Sequence, residues 1–310
     1  MENTSTHYWI ERIQDHFIGA FTFDLGRYVI AATTLTFLLW LAKSWTEARR
    51  IQNRRAHLAD YVREIASSLR TVFFFGLTGL ATLLMIEGGI VRVHDGSYGI
   101  GLFVVQLAAI TLFHDTYFYW MHRALHHKRL FRAVHLHHHK SRTPTPWAAY
   151  SFSAWEGIAE SAFMPLFLLL ASLFGVAFID FAIFVYLAWM IIRNVMGHSG
   201  IELHPAGWVD NKWLDWIITT THHDLHHSEG NHNFGLYFTW WDRLMGTEHP
   251  QYKERFRAVA KPFVVPPRFA EKLSVTIMAL LAASATLSGA LGAMGAVPEI
   301  RELGPSLFFT

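Results

Sequence analysis

Eight of the 26 residues between His114 and His139 are histidine, and they recur at fixed intervals. His122 and His126 are four apart, and His135, His138 and His139 follow an i, i+3, i+4 pattern that His223, His226 and His227 repeat. On a helix these spacings gather imidazoles on one face, about 5 to 6 Å apart at Cβ, close enough to share a metal. Zinc takes four ligands and iron up to six, so this many converging histidines predict two ions. The bland alternative, a histidine-rich surface or a tag, fits poorly, because a tag is terminal and contiguous while these sets are internal and helically spaced.

The sets lie among long apolar runs. At 52% hydrophobic and 16% charged over 310 residues, the chain is more apolar than an average soluble domain. The sequence predicts an all-α fold, a polytopic membrane helical bundle with a cytoplasmic histidine-rich helical cap. A net charge of +2 argues against nucleic acid as a partner, and zero cysteines exclude disulfides, thiolate nucleophiles and iron–sulfur ligation. The first residues lack a basic segment followed by an apolar core, so no cleaved signal peptide is expected.

Residues 1–27 read as an amphipathic lead-in with Trp9, Phe17 and Phe21 as interfacial aromatics, and Tyr28–Leu41, extended back to Phe21, as a marginal first span. Seven basic residues between Lys43 and Arg70 mark a cytoplasmic connection and put the N-terminus outside. Thr71–Val91 and Gly99–Trp120 form a hairpin of spans that delivers the first histidine sets to a basic, cytoplasmic segment. Two prolines in Thr143–Trp147 turn the chain. Ile158–Ile192, interrupted by Gly175 and Asp180, is too long for one span and predicts two short helices that return to the same side before the last histidine set. Leu273–Val297 is a final span rich in small residues. The expected organisation is an N-terminal membrane region (1–98), a catalytic region of membrane helices and histidine cap (99–250), and a linker with the last helix (251–310).

The strings HDTYFYWMHRALHH, HLHHHKSRTPTPW, GHSGIELHP and THHDLHH…NFGLYFTWWDRLMGT resemble the fatty acid hydroxylase, or sterol desaturase, superfamily of membrane di-iron enzymes, from His114 to Thr247. The resemblance assigns the HX3H motif to His122 and His126, the first HX2HH to His135, His138 and His139, and the second to His223, His226 and His227. It further implies His198 as a ligand, and His222 through an HHDXHH variant of the sterol methyl oxidase branch. His114, His127, His137, His204 and His232 are weaker candidates. One departure stands out: after TPTPW the chain reads FSAWE, Phe152–Glu156, with Ser153 where desaturase-type members would have a histidine. Asp115 and Asp224 are candidates to orient imidazoles, with a surface ion pair to Arg123 or Lys128 as the alternative for Asp115. Tyr119, Trp120, Trp240 and Trp241 are candidate channel residues or simple interfacial aromatics.

The resemblance implies two non-haem iron ions, O2 as co-substrate, and hydroxylation or desaturation of a lipid such as a sterol or fatty acid. With no CXXCH, no GXGXXG after a strand and no cysteine cluster, electrons are expected from a cytochrome b5-like or ferredoxin partner. A carotenoid or ether-lipid monooxygenase is the alternative within the same chemistry. A transition-metal transporter or sensor is the rival from another class, but it should hold its ligands near the bilayer midplane, whereas these lie beyond the span ends.

Overall fold

A computed structural model of the chain describes residues 2–94, 96–262 and 271–279. The chain divides into two units, 1–263 and 264–310. In the second, residues 271–279 are helical, and most of the expected final span lies outside the described residues.

The regular structure of the first unit is helical but for one pair of two-residue strands. Its elements are α1 (Glu2–Leu41), α2 (Lys43–Glu47), α3 (Leu58–Glu87), α4 (Ile100–Leu125), α5 (Ala154–Ser161), α6 (Phe163–Leu173), α7 (Asp180–Gly197), α8 (Thr220–Glu229), α9 (Trp240–Leu244) and α10 (Tyr252–Val259). Four segments are long and apolar enough to cross a membrane: α3, α4, α5 with α6, and α7. The protein is therefore a multi-pass membrane protein.

The hairpins form where expected. Gly175, at φ +75°, breaks the long apolar run, and α7 starts at Asp180. At this end of the bundle the two-residue strands β1 (Val93–His94) and β2 (Phe178–Ile179) pair in parallel. Gln106 bridges to the same loop, donating to the Ala177 carbonyl and accepting from the Ile179 amide.

The N-terminal region corrects the sequence reading. Residues 1–27 are not a separate lead-in: α1 is one helix of 40 residues, about 60 Å long at 1.5 Å per residue. It is not among the four segments apolar enough to span, and it carries the ion pair of Asp24 with Arg27. α1 runs antiparallel to α3, with Arg12 and His16 on Glu87 at one end. Contact is tightest at Gly79, where a Cβ would lie 2.7 Å from that of Ala20. With α2 at its start and α3 beginning at Leu58, most of the basic segment 43–70 is helical.

The direction of each long helix fixes the site. The start of α3, the end of α4, the start of α5 and the end of α7 meet at one end of the bundle. The meeting is recorded by Ser67 bonded to His137, Glu156 bonded to His135, and the close contacts of His122 with His135 and of His198 with His138. Beneath it lies a core of Tyr28, Val72, Phe75, Tyr150, Ile191 and Val195. The cap is tied down by Arg49, fully buried, whose guanidinium donates to the carbonyls of Glu202, His204, Lys261 and Pro262.

Candidate metal centre

Nine histidines converge, and they do so as two groups. His122, His126, His135, His139 and His226 form one, His138, His198, His223 and His227 the other, with the ligand-capable nitrogens of each group within 4.8 Å of one another. All but His126 are buried.

The HX2HH sets do not each serve one face, as the spacing predicts. In both, the i and i+4 histidines go to one group and the i+3 histidine to the other. His135 and His139 join the five-histidine group while His138 joins the four; His223 and His227 join the four while His226 joins the five. On α8 the cause is angular, since at 100° per residue His226 lies 60° to one side of His223 and His227 lies 40° to the other. The first set is not on an α-helix at all: His135 closes a π-helical turn (Phe131–His135), and His138 opens a 3₁₀ turn (His138–Lys140).

The far nitrogens of five rings are held by hydrogen-bond acceptors. His122 Nδ1 donates to the Phe234 carbonyl (3.0 Å), His226 Nδ1 to that of His232 (2.7 Å), His198 Nδ1 to that of Asn194 (2.8 Å) and His138 Nδ1 to that of Ser151 (3.4 Å). His135 Nδ1 donates to the Glu156 carboxylate at 2.6 Å. A carbonyl can only accept, so in a neutral ring the proton sits on Nδ1 and Nε2 presents a bare lone pair. The rings are neutral. Burial, then the neighbouring imidazoles, holds His135, His138, His223, His226 and His227 well below the usual histidine range. Burial alone or first also lowers His126 to about 2, His139 to about 3 and His198 to about 4.

Lone pairs therefore face lone pairs. His122 Nε2 and His135 Nε2 are 3.0 Å apart, and His198 Nε2 and His138 Nε2 are 3.3 Å apart, with no proton left to lie between them. Such contacts repel unless a cation takes both, which is the fit expected of a histidine-ligated metal.

The loop after α8 exists to present two of the acceptors. Gly230, Asn231 and Asn233 adopt φ of +62°, +48° and +61°, residue types that tolerate the left-handed region, and the reversal aims the His232 and Phe234 carbonyls back at His226 and His122. Asp242 holds the loop through the amides of Phe234 and Gly235. A Cβ on Gly235 would lie 2.7 Å from the Phe238 carbonyl oxygen, so the turn requires glycine. α8 stops at Gly230.

Of the ten predicted ligands, His222 is the exception. Its ring lies outside both groups, against Tyr252 and 3.6 Å from Asp242, because it precedes His223 by one residue and points 100° away. The weaker candidates also stay outside. His114 bonds the Tyr237 hydroxyl, His137 bonds Ser67 on α3, His204 bonds Glu202, His127 accepts from the Arg129 amide, and the His232 ring packs on His249.

Neither predicted aspartate orients a ligand ring. Asp115 is buried and accepts from the amides of Tyr237 and Phe238, rather than pairing with Arg123 or Lys128. Asp224 accepts from Gln52, and burial raises it to about 7. The carboxylate that does orient a ring is Glu156, which the sequence reading passed over inside FSAWE. Ser153, standing in the histidine's place, caps α5 by accepting from the Glu156 amide, which sets Glu156 in the first turn facing His135. An acid at the start of an apolar span was the available signal.

An apolar cavity of about 350 Å³ runs among α1, α3, α5, α6 and α7. It ends on Phe152 and Asn194, the first packed on the His138 ring at 5.0 Å and the second bonded to His198. The expected channel aromatics do not line it: Tyr119 stacks on Trp241, and Trp240 on Trp216.

Residues 107–247 match the profile of the fatty acid hydroxylase family. Human lathosterol oxidase is 30% identical over 190 residues, 60% of this chain and 60% of that protein. A Delta(7)-sterol 5(6)-desaturase of Aspergillus fumigatus is 29% identical over 232 residues, 70% of this chain and 72% of the relative. One of Gibberella zeae is 28% identical over 220 residues, 66% and 62%. The chain thus spans about 60% of the human relative's length. Similarity to sterol desaturases holds despite Ser153. No solved structure matches the chain.

Proposed function

We propose that the chain, whose residues 107–247 match the fatty acid hydroxylase family, is an O2-dependent, di-iron membrane oxygenase that desaturates or hydroxylates a sterol. The observation that carries the metal centre is the pair of lone-pair contacts, His122 with His135 and His138 with His198. Two groups support two ions, His122, His126, His135, His139 and His226 holding one and His138, His198, His223 and His227 the other. Iron is favoured over zinc by the family, and when bound it supplies dioxygen chemistry strong enough to break an unactivated C–H bond, which no side chain can do. The substrate follows from the relatives' names, and an apolar cavity ending beside His138 and His198 suits a lipid.

The protein's own part is to fix five imidazoles by their far nitrogens, to exclude water around them, and to admit a lipid past Phe152. Desaturation removes two C–H hydrogens and reduces O2 to two waters. Two of the four electrons come from the substrate and two from a donor. A cytochrome b5-like or ferredoxin protein fits that role. Exposed Lys128, Arg129 and Arg132, between His126 and His135, support both an acidic donor and a cytoplasmic position for the cap.

The test is to incubate iron-loaded protein with lathosterol, O2 and a reducing donor, and to analyse the sterol by mass spectrometry. A product lighter by two hydrogens or heavier by one oxygen is expected. Unchanged lathosterol, with two irons bound and the donor oxidised, would overturn the sterol assignment.

A further inference from the structure

The cavity holds two polar groups that no described residue satisfies. Tyr150 Oη is buried with no hydrogen-bond partner, on a ring stacked against Tyr28 at 5.2 Å and met edge-on by Phe75 at 4.8 Å. Glu160 lines the same cavity, and its carboxylate meets no donor and no cation among the described residues. The neighbouring charges are already paired, Arg27 with Asp24 and with the Leu187 carbonyl. A hydroxyl and a carboxyl left unpaired between membrane helices are costly, and such groups are retained where a ligand completes them.

We propose that Glu160 and Tyr150 form a clamp for the hydroxyl of the lipid substrate, the hydroxyl donating to the Glu160 carboxylate and accepting from Tyr150 Oη. The proposal rests on the lipid-oxidising reading above and deepens it. Glu160 follows Glu156 by four residues on α5, so the two share a face one turn apart, and Glu156 holds His135. The clamp therefore sits at the histidine end of the cavity, and the apolar remainder of the substrate runs toward Phe23, Leu83, Met164 and Leu168. Oxidation then falls on carbons near the hydroxyl-bearing end, not at the far end of the molecule.

The test is equilibrium binding, without turnover, of radiolabelled lathosterol and of the same ring system lacking the hydroxyl. Both are offered to the metal-loaded full chain under anaerobic conditions. The wild type should prefer lathosterol by about tenfold or more, because a site built to pair a hydroxyl rejects the analogue without one. Glu160→Leu and Tyr150→Phe should each erase most of that preference, while Glu160→Gln, which still accepts, keeps part of it. Unchanged metal content certifies that the variants fold. Equal binding of both probes by the wild type, or full preference in both Glu160→Leu and Tyr150→Phe, overturns the clamp. Should neither steroid bind, the comparison is repeated with a long-chain alcohol and its alkane. A preference there that Glu160→Leu erases keeps the clamp and removes the sterol reading, and no preference overturns the clamp.

Discussion

The two histidine groups are built from the same strings yet are held differently. The five-histidine group depends on a carboxylate, Glu156, and on two carbonyls of the left-handed loop after α8. It also includes the half-buried His126. The four-histidine group is buried throughout, is oriented by the carbonyls of Ser151 and Asn194, and adjoins the cavity. The difference teaches that one motif can feed two sites of unequal character. A side-chain carboxyl and a spare ligand support the outer one, and neutral backbone supports the inner one, beside the cavity.

The sharpest way to break this comparison is to remove one ring from each group. His223→Ala leaves three nitrogens in the inner group, and His126→Ala leaves four in the outer. Activity should fall to background in His223→Ala, with metal content near one ion per chain, whereas His126→Ala should keep more than one. Elemental analysis beside a turnover assay checks both. Equal losses would show that the extra histidine contributes nothing.

Gly235→Ala comes next in size. The added methyl meets the Phe238 carbonyl, and the loop must shift, at about 1 to 3 kcal/mol for overpacking. The outer group should lose affinity while the inner keeps it, measurable by thermal unfolding and by metal titration of the variant. Glu156→Gln should be milder for folding, since the amide oxygen still accepts from His135 Nδ1, but loss of the carboxyl should weaken the outer site by about 10 to 100-fold. Asp224→Asn, which touches Gln52 and no ligand ring, should change metal affinity by less than this.

Much of the architecture was legible: apolar run lengths marked the two hairpins, and Gly175 and Asp180 marked breaks that the structure keeps. Nine of the ten candidate ligands converge, eight of them from the regularly spaced sets and His198 from the resemblance alone. The partition between groups was not legible. Spacing assumes an α-helix, and between His126 and Lys140 the backbone is π-helical and 3₁₀. His222 was carried by a motif rather than by its angle, and α8 turns it away. Nor could position beside a ligand identify the orienting carboxylate, because Asp115 and Asp224 are spent on a loop and on Gln52 while Glu156 arrives from a different helix.

A further effect is on pH. The cap histidines stay neutral in the folded protein far below 6.5, while in the unfolded chain they take up protons near that value. Their contribution to stability is therefore present above about pH 6.5 and is lost as pH falls below it, by up to about 1.4 kcal/mol per pH unit for each ring. Denaturant melts of the metal-free protein between pH 8 and 5 should show this decline, steeper in the wild type than in a variant lacking His198. A flat profile would mean that the rings are not buried as a neutral cluster.

The central claim is that each HX2HH set is divided between two metals, and anomalous diffraction from iron-loaded crystals tests it most directly. The account predicts two peaks. One is bounded by the Nε2 atoms of His122, His126, His135, His139 and His226, and the other by those of His138, His198, His223 and His227. A single peak, or His135, His138 and His139 together around one ion, would contradict it.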